Sequence, residues 1–281
     1  MAIATALSHA ARRLTTRMPA LACDGMYISV EQISKRYDGR AGPIDALAPL
    51  SFEVDENEFV SIVGPSGCGK STLLMIISGL LSSSAGTVRI KSTLVEAPYT
   101  KLGFVFQQDV LLDWRNVLQN VLLQSQIRRL DKKMATARAK ELLQLVGLEG
   151  FEDQYPYELS GGMRQRVAIC RALLHDPDLL LMDEPFGALD AIARDQLNED
   201  LLRYRDRARK TIVFVTHSIQ EAVFLSDRIL VMSPRPGRIE ATMDIDLPRP
   251  RRLAIRETAE FGAYVGRIIR TFESVGVFRK G

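Results

Sequence analysis

The segment GPSGCGKST, residues 64 to 72, constrains the fold of this 281-residue chain more than any other feature. It fits the pattern G-x-x-x-x-G-K-[ST], which ends here in Gly69, Lys70 and Ser71. The apolar run EFVSIV precedes the segment, and the apolar run TLLMIISGLL overlaps its end. These runs predict a buried strand and a buried helix on either side of a glycine-rich turn, which is the context that a phosphate-binding loop requires.

Each part of this segment suits the binding of a nucleoside triphosphate. Its glycines allow backbone N–H groups to turn toward phosphate oxygens, and the start of the following helix adds a partial positive charge. The Lys70 ammonium can reach the β- and γ-phosphates, the Ser71 hydroxyl can bind Mg²⁺, and Thr72 can support the phosphates. The predicted phosphate-binding residues are Gly64, Pro65, Ser66, Gly67, Cys68, Gly69, Lys70, Ser71 and Thr72.

Strand–helix alternation along the chain predicts an α/β fold with a P-loop NTPase core. The runs within 58–63, 178–185 and 210–217 are almost continuously apolar, which is typical of parallel strands that are covered on both faces. Helical patterns follow at 190–208 and 218–226. This order favours a doubly wound central sheet that is rich in parallel strands.

Three other segments depart from that alternation. MYISVEQIS and LSFEV alternate apolar and polar residues, as half-buried strands do, whereas residues 108 to about 174 carry helical periodicity and charged faces. We therefore expect an inserted α-helical subdomain at 108–174. In the tail, residues 253–278 contain an apolar stripe at helical spacing, which predicts a helix that packs on the body or contacts a partner. The stripe consists of Phe261, Val265, Ile268, Phe272 and Val275.

Polar side chains stand where the predicted parallel strands end. In LLLMDEP, Asp183 and Glu184 follow four apolar residues, and ligands bind at that edge of open α/β sheets. Adjacent strand residues point in opposite directions, so Asp183 fits a water-mediated Mg²⁺ contact and Glu184 fits the orientation or deprotonation of water. Gln107 and His217 end two other strands and are candidates for the γ-phosphate, although His217 alone could be a plain strand terminus.

A second open helix start occurs in ELSGGMRQR, residues 158 to 166. Ser160, Gly161 and Gly162 form an anion-binding helix start, and Arg164 and Arg166 add positive charge near it. One nucleotide cannot easily need both helix starts of one chain. This second start is therefore predicted to serve a nucleotide that a second molecule holds.

The ordered set of GPSGCGKST, Gln107, LSGGMRQR, LLLMDEP, GALD and His217 resembles the ATP-binding subunit of ABC transporters. The resemblance covers residues 27 to about 245. It implies an ABC ATPase cassette, in which an antiparallel β subdomain accompanies the central sheet and the helical insert. It implies ATP and Mg²⁺ as ligands. We expect three parts: a disordered extension at 1–26, which the resemblance does not explain, the ATPase domain at 27–245, and a linker with a carboxy-terminal helix at 246–281.

The resemblance also implies roles for single residues. Tyr37 resembles the aromatic residue that stacks on adenine, and Gln107 resembles the residue that touches Mg²⁺ or water and senses the membrane partner. Glu184 resembles the catalytic carboxylate and His217 the switch histidine on the γ-phosphate. Ser160, Gly161, Gly162 and Asp190 resemble the groups that act between two copies. Two such copies enclose two ATP molecules head to tail.

A narrower resemblance is to importers of nitrate, sulfonate, taurine and related small molecules. MDEPFGALDA, EAVFLSDRILVMSPRPGRI and LPRPR carry it, whereas Ser218 and Asp113 stand where these proteins often have Asp and Pro. The implied partners are two transmembrane permease subunits, with which Asp113 and Trp114 are expected to make contact, and indirectly a solute-binding protein outside the membrane. The implied location is the cytoplasmic face of the inner membrane, as a peripheral subunit.

Two other classes of protein also contain a phosphate loop of this kind. An ABC ATPase that acts on nucleic acid or ribosomes usually carries two cassettes or a long coiled-coil insertion, and a P-loop kinase has no need of LSGGMRQR. The net charge is +3, but the extension and the tail from residue 248 onward are basic, so the body between them carries a net charge of −4. A basic nucleic-acid groove in the body is therefore not expected.

The ends and the cysteines add three expectations. No segment approaches the about 18 to 20 apolar residues of a membrane span. Residues 1 to 23 lack acidic residues and weakly resemble an organelle transit peptide, but we favour a disordered extension. Cys23, Cys68 and Cys170 show no metal-binding spacing, which indicates a reducing compartment without a disulfide framework.

Overall fold

The computed structural model describes residues 26–39, 42–187 and 189–277. Within these residues, strands form two sheets and α-helices pack on them. The strands are β1 Met26–Gly39, β2 Gly42–Asp55, β3 Phe59–Val63, β4 Ala85–Ile90, β5 Thr93–Leu94, β6 Leu102–Val105, β7 Leu179–Asp183, β8 Thr211–Thr216, β9 Arg228–Met232 and β10 Ile239–Asp244. The α-helices are α1 Lys70–Ile77, α2 Val117–Val121, α3 Leu123–Arg128, α4 Lys132–Leu145, α5 Gly161–Leu173, α6 Ala191–Ala208, α7 Ile219–Leu225 and α8 Ala259–Ser274.

The central sheet has the strand order β10-β9-β3-β8-β7-β6 and is parallel except for β10. Successive side chains of its strands enter two different apolar clusters. In β3, for example, Phe59 and Val63 belong to one cluster, and Val60 and Ile62 belong to the other. Burial on both faces explains the almost continuous apolar runs and confirms the predicted parallel-rich α/β core.

The second sheet is antiparallel and has the strand order β2-β1-β4-β5. Its inner residues, such as Ile28 and Val88, share a cluster with Leu73 and Leu74 of α1. This sheet is the antiparallel β subdomain that the resemblance implied. Strand β1 begins at Met26, one residue inside the predicted extension, and residues 1–25 of that extension lie outside the described residues.

Helices α2 to α5 separate β6 from β7, and a short 3-10 helix, Pro156–Glu158, lies before α5. All of them fall within the segment predicted to be helical, 108–174. Polar side chains start α2 and α4: Asn116 accepts a hydrogen bond from the backbone N–H of Gln119, and Asp131 accepts one from that of Met134. Their apolar faces join the same cluster as one face of the central sheet.

The carboxy-terminal region differs from the predicted helix over 253–278. A 3-10 helix, Leu253–Glu257, comes first, and Thr258 is extended and caps α8 through its hydroxyl group. The cap interrupts the helical path because its backbone is not helical. Phe261, Ile268 and Phe272 are buried in the main cluster, so the stripe packs on the body of the same chain.

Other expectations concern cysteines and membrane spans. Cys68 and Cys170 are buried and free, and burial raises the pKa of the Cys170 thiol to about 12. Cys23 lies outside the described residues. Within the described ranges, no helix is long and apolar enough to cross a membrane.

Arg251 fixes the segment that leads to the carboxy-terminal helix. Its side chain is only 4% exposed. Its guanidinium donates hydrogen bonds of 2.7 to 3.4 Å to the carbonyl groups of Val223, Phe224, Ser226, Ile245 and Leu247. The first three carbonyls belong to the end of α7 or follow it, where helical partners are lacking. Arg251 therefore joins α7 to the linker.

We expect Arg251→Ala to lower the free energy of unfolding by about 3 kcal/mol, because several buried carbonyl groups would lose a charged donor. Urea denaturation followed by circular dichroism measures this change. Arg252→Ala is the matched control, since Arg252 is exposed and its side chain makes no hydrogen bond with the described residues. Equal urea midpoints for the two variants would contradict the expectation.

Candidate nucleotide-binding site

The phosphate-loop segment lies between β3 and α1, as predicted. Gly67 and Gly69 have φ values of 74° and 104°, which L side chains rarely adopt. Space also requires glycine at position 69, because a Cβ atom there would lie 2.6 Å from Leu47 Cδ2 and 3.0 Å from the Ala46 carbonyl oxygen. The loop is thus a close backbone turn that leads directly into the first residue of α1.

Lys70 lies within this turn and is only 5% exposed. Its ammonium donates hydrogen bonds of 2.9 Å to the Gly64 carbonyl and 3.1 Å to the Pro65 carbonyl. It also lies 3.8 Å from Oε1 of Glu184. The ammonium therefore bridges the loop and the carboxyl end of β7.

The predicted polar residues at the strand ends meet around Glu184. Its Oε2 lies 3.0 Å from His217 Nδ1 and 3.4 Å from Gln107 Nε2. The Glu184 backbone has a φ of 45°, an uncommon conformation for a non-glycine residue. This turn follows β7 directly, and such conformations cluster at functional sites. The structure therefore gathers one carboxylate, one imidazole, one amide and the Lys70 ammonium at a single point.

Asp183, the last residue of β7, directly precedes Glu184 and is 7% exposed. Burial, and secondarily the Glu184 charge, raise the pKa of its carboxyl group, whereas a hydrogen bond from Ser71 and the Lys70 charge oppose the rise. Its Oδ1 atom is buried and has no hydrogen-bond partner. An unpartnered buried carboxylate oxygen beside a serine hydroxyl suits a hard cation such as Mg²⁺.

Three acidic, histidine or cysteine ligands do not come together anywhere in the described part of the chain. Mg²⁺ is usually bound by one or two carboxylates together with waters and substrate phosphates. Ser71, Asp183 and Gln107 supply oxygen donors of that kind around the start of α1.

A cleft of about 570 Å³ contains most of the predicted nucleotide-binding residues. Its lining comprises Tyr37, Ile44, Ala46, Ser66, Gly67, Gly69, Lys70, Ser71, Thr72, Gln107, Glu184, His217 and Arg235. Tyr37 and Ile44 are exposed by 38% and 43% and form an apolar end. The Tyr37 hydroxyl lies 3.4 Å from Thr72 Oγ1. A flat apolar end and a cationic loop end match the two parts of a nucleotide.

Ser160, Gly161 and Gly162 do not line this cleft. They form the start of α5, where the Ser160 hydroxyl accepts a hydrogen bond of 3.2 Å from the Met163 backbone N–H. Ser160 is exposed. The structure therefore leaves this helix start open, away from the chain's own nucleotide cleft.

Of the two arginines near that helix start, only Arg164 has an acidic partner among the described residues. Arg164 pairs with Asp109 at 2.9 Å and donates to the Leu159 carbonyl, and Arg166 donates to the Val146 carbonyl. The sequence suggested that both arginines would add attraction for an anion. Asp109 neutralises the charge of Arg164, whereas Arg166 has no acidic partner within salt-bridge distance among the described residues.

Asp190 is also exposed outside the cleft and starts α6. Its Oδ1 atom accepts a hydrogen bond of 2.9 Å from the Ala193 backbone N–H. Ser218 starts α7 in the same way, with a 3.3 Å hydrogen bond from the Glu221 backbone N–H. A serine therefore performs, at position 218, the capping that an aspartate performs at position 190.

Sequence reasoning did not find Ile44, Ala46 and Arg235 as lining residues. Ile44 and Ala46 belong to β2, whose pairing with β1 places them beside Tyr37. Arg235 belongs to the loop between β9 and β10, far from the phosphate loop in sequence. The segment SPRPGR, which contains prolines and a glycine, predicted a loop at this place. It did not predict that the loop would contact the phosphate loop.

The comparisons with known proteins agree with this geometry. Residues 47–187 match a family model described as "ABC transporter". An aliphatic sulfonates import ATP-binding protein of Bacillus cereus is 41% identical over 90% of this chain and 99% of its own length. A taurine import ATP-binding protein of Rhizobium johnstonii is 49% identical over 79% of this chain and 85% of its own length.

Solved structures of ATP-binding cassettes are also similar. One is a dimeric cassette in a post-hydrolysis state with bound ADP and phosphate, with a TM-score of 0.72, 34% identity and coverage of 79% of this chain and 100% of that one. A dimeric bacterial ABC transporter cassette gives a TM-score of 0.73 at 35% identity and the same coverage. From its motifs, its fold and these relatives, the chain belongs to the family of ATP-binding proteins of ABC transporters.

Proposed function

We propose that this chain is the ATP-hydrolysing subunit of an importer for small organic or inorganic anions such as sulfonates, taurine or nitrate. The single observation that carries the ATPase function is the convergence of Lys70, Glu184 and His217 within one cleft. The relatives named for the import of taurine and aliphatic sulfonates support the class of solute.

In this proposal ATP lies along the cleft from its apolar end to the loop. The exposed Tyr37 ring stacks on adenine, and the backbone N–H groups between Gly64 and Lys70 hold the phosphates. Lys70 exchanges its two loop carbonyl partners for β- and γ-phosphate oxygens. Ser71 and Gln107 would hold Mg²⁺, and Asp183 would contribute through water. When bound, this ion neutralises phosphate charge.

Glu184 is proposed to position the attacking water and to accept its proton. His217 and Gln107 contact the carboxylate in the observed structure, so they are placed to hold its orientation. His217 also lies at the rim, where it can contact the γ-phosphate. Hydrolysis then depends on orientation and charge more than on covalent chemistry.

The complete site is proposed to need two copies of the chain. Ser160 is exposed, Gly161 and Gly162 are half-buried, and all three lie outside their own cleft. Both structural relatives named above are dimeric. Head-to-tail pairing brings this helix start of one copy over the γ-phosphate that the other copy holds. Asp190, also exposed, communicates between the two sites.

Further proposals concern partners and division of the chain. Two permease subunits in the membrane form the path for the solute, and a solute-binding protein acts outside the membrane. The chain is then a peripheral subunit at the cytoplasmic face of the inner membrane. We propose an ATPase domain at 27–245, with its helical subdomain at about 108–174, and a linker and helix at 246–281. The relatives named above are transporter subunits by name, so action on nucleic acid is not proposed.

Deletion of the gene tests the proposed transport. We expect the deletion strain to lose growth when taurine or an alkanesulfonate is the only sulfur source, or nitrate the only nitrogen source, and to grow normally on sulfate and ammonium. Uptake of labelled solute measures the same effect directly. Unchanged growth on all three solutes, or copurification of the tagged chain with ribosomes instead of integral membrane proteins, would contradict the proposal.

Glu184→Gln tests the catalytic carboxylate. The variant should bind ATP with wild-type affinity but lower kcat by about 100-fold or more, because an amide cannot accept the proton from water. It should also remain dimeric with ATP in size-exclusion chromatography. Glu240→Gln is the control, since Glu240 pairs with Arg238 outside the cleft. Normal turnover by Glu184→Gln would remove Glu184 from the proposed role.

A mixing experiment tests whether two chains share each site. Lys70→Ala should weaken ATP binding, and Ser160→Arg should block the helix start without changing its own phosphate loop. Each variant alone should be inactive, whereas their mixture should regain ATPase activity because one site of the mixed dimer is intact. A mixture as inactive as both parents, despite native folding by circular dichroism, speaks against shared sites.

A further inference from the structure

The loop at 233–238, between β9 and β10, lies against the phosphate loop. The Arg235 guanidinium donates from Nε and Nη2 to the Gly67 carbonyl oxygen, at 3.2 and 3.0 Å. These two residues are 168 positions apart in sequence. The guanidinium is thus a lining group of the nucleotide cleft that no motif of the chain includes.

A second residue of the same loop explains why this contact has a defined geometry. Gly237 donates to the Ala46 carbonyl and accepts from the Ala48 backbone N–H, both at 3.0 Å. A Cβ atom at position 237 would lie 2.0 Å from the Cys68 carbonyl oxygen. Only glycine allows this close approach, so the loop is fixed between β2 and the phosphate loop.

The contact with Gly67 acts on the direction of a backbone donor. In a trans peptide the carbonyl of Gly67 and the N–H of Cys68 point in opposite directions. Gly67 has a left-handed φ of 74°, and glycine is free to adopt many other conformations. By holding the carbonyl, Arg235 limits this freedom and keeps the Cys68 N–H, which donates to the Pro65 carbonyl at 3.4 Å, directed away from the guanidinium.

The charge of Arg235 also favours a role in binding a triphosphate. Two lysine or arginine side chains line the cleft, and one of them, Lys70, lies 3.8 Å from Glu184. Arg235 has no acidic partner within salt-bridge distance among the described residues, and its Nη1 makes no hydrogen bond with them. Its positive charge is therefore uncompensated at the edge of a cleft that suits a triphosphate.

We propose that Arg235 is a further ATP-binding residue, which orients the peptide after Gly67 and supplies an uncompensated positive charge beside the phosphates. This inference rests on the proposed nucleotide site. It makes the loop at 233–238 a functional part of that site, in addition to its role as the connection between two strands.

Isothermal titration calorimetry of purified protein with ATP tests this inference. Arg235→Met should raise the Kd for ATP about tenfold, because it loses a charged donor, whereas Arg235→Lys should stay within about threefold of wild type. The difference between wild type and Arg235→Met should shrink as NaCl is raised, because salt screens exposed charges. The kcat at saturating ATP should change less than the Kd.

Arg238→Met is the matched control. It removes an arginine from the same loop that pairs with Glu240 and does not line the cleft, so ATP affinity should be unchanged. Lys70→Ala distinguishes a failure of the proposed nucleotide site from a failure of the role of Arg235. If Lys70→Ala binds ATP normally, the proposed nucleotide site itself fails. If Lys70→Ala binds weakly but Arg235→Met binds like wild type, only the role of Arg235 is overturned.

Two more results would count against Arg235. A loss of affinity that does not depend on salt would contradict the role of its charge, and a lower kcat with an unchanged Kd would contradict a binding role. The exposed positions of Arg235 and Arg238 predict wild-type melting temperatures for the variants at these two residues. Should Arg235→Met melt earlier, Arg235→Lys must still bind ATP more tightly than Arg235→Gln, which keeps an amide donor but lacks the charge.

Discussion

Parallel hydrogen bonding among β3, β8, β7 and β6 is the interaction on which the candidate site depends. Val63 lies in register with Thr216, and Asp183 lies in register with Val215. The phosphate loop, His217 and Glu184 therefore leave the sheet at the same edge. A slip of one residue in this register would turn side chains to the opposite face and separate them. Such a slip is costly because the side chains of the slipped strand would have to pack into the cluster on the opposite face, where they do not fit.

The sequence predicted those parts of the site that depend on a local pattern. A buried strand that ends in polar residues is visible in the residues alone, and so are the glycines of the phosphate loop and the open helix start at Ser160. Opposite directions for Asp183 and Glu184 also followed from the two-residue period of a strand. In the structure Asp183 accepts a hydrogen bond from Ser71, and Glu184 lies beside His217.

Features that depend on distant pairing were not predictable in the same way. Arg235 reaches Gly67 because β9 pairs with β3 and its following loop folds over the phosphate loop, and no spacing in the sequence shows that. The charge of Arg164 is neutralised by Asp109, which the local pattern RQR did not indicate. Thr258 interrupts the tail because a single hydroxyl starts a new helix, whereas the apolar stripe suggested one continuous helix.

The contacts of α5 have a mechanical consequence. Arg164 holds Asp109, Gln165 donates to the Phe106 carbonyl, and Arg171 donates to two backbone carbonyls of the same stretch. These contacts connect the stretch that contains Gln107 to the helix that begins at Ser160. In the proposed pair of copies, a displacement of the helix start at Ser160 would therefore move the Gln107 stretch with it, and the occupancy of one cleft would reach the other copy through these contacts.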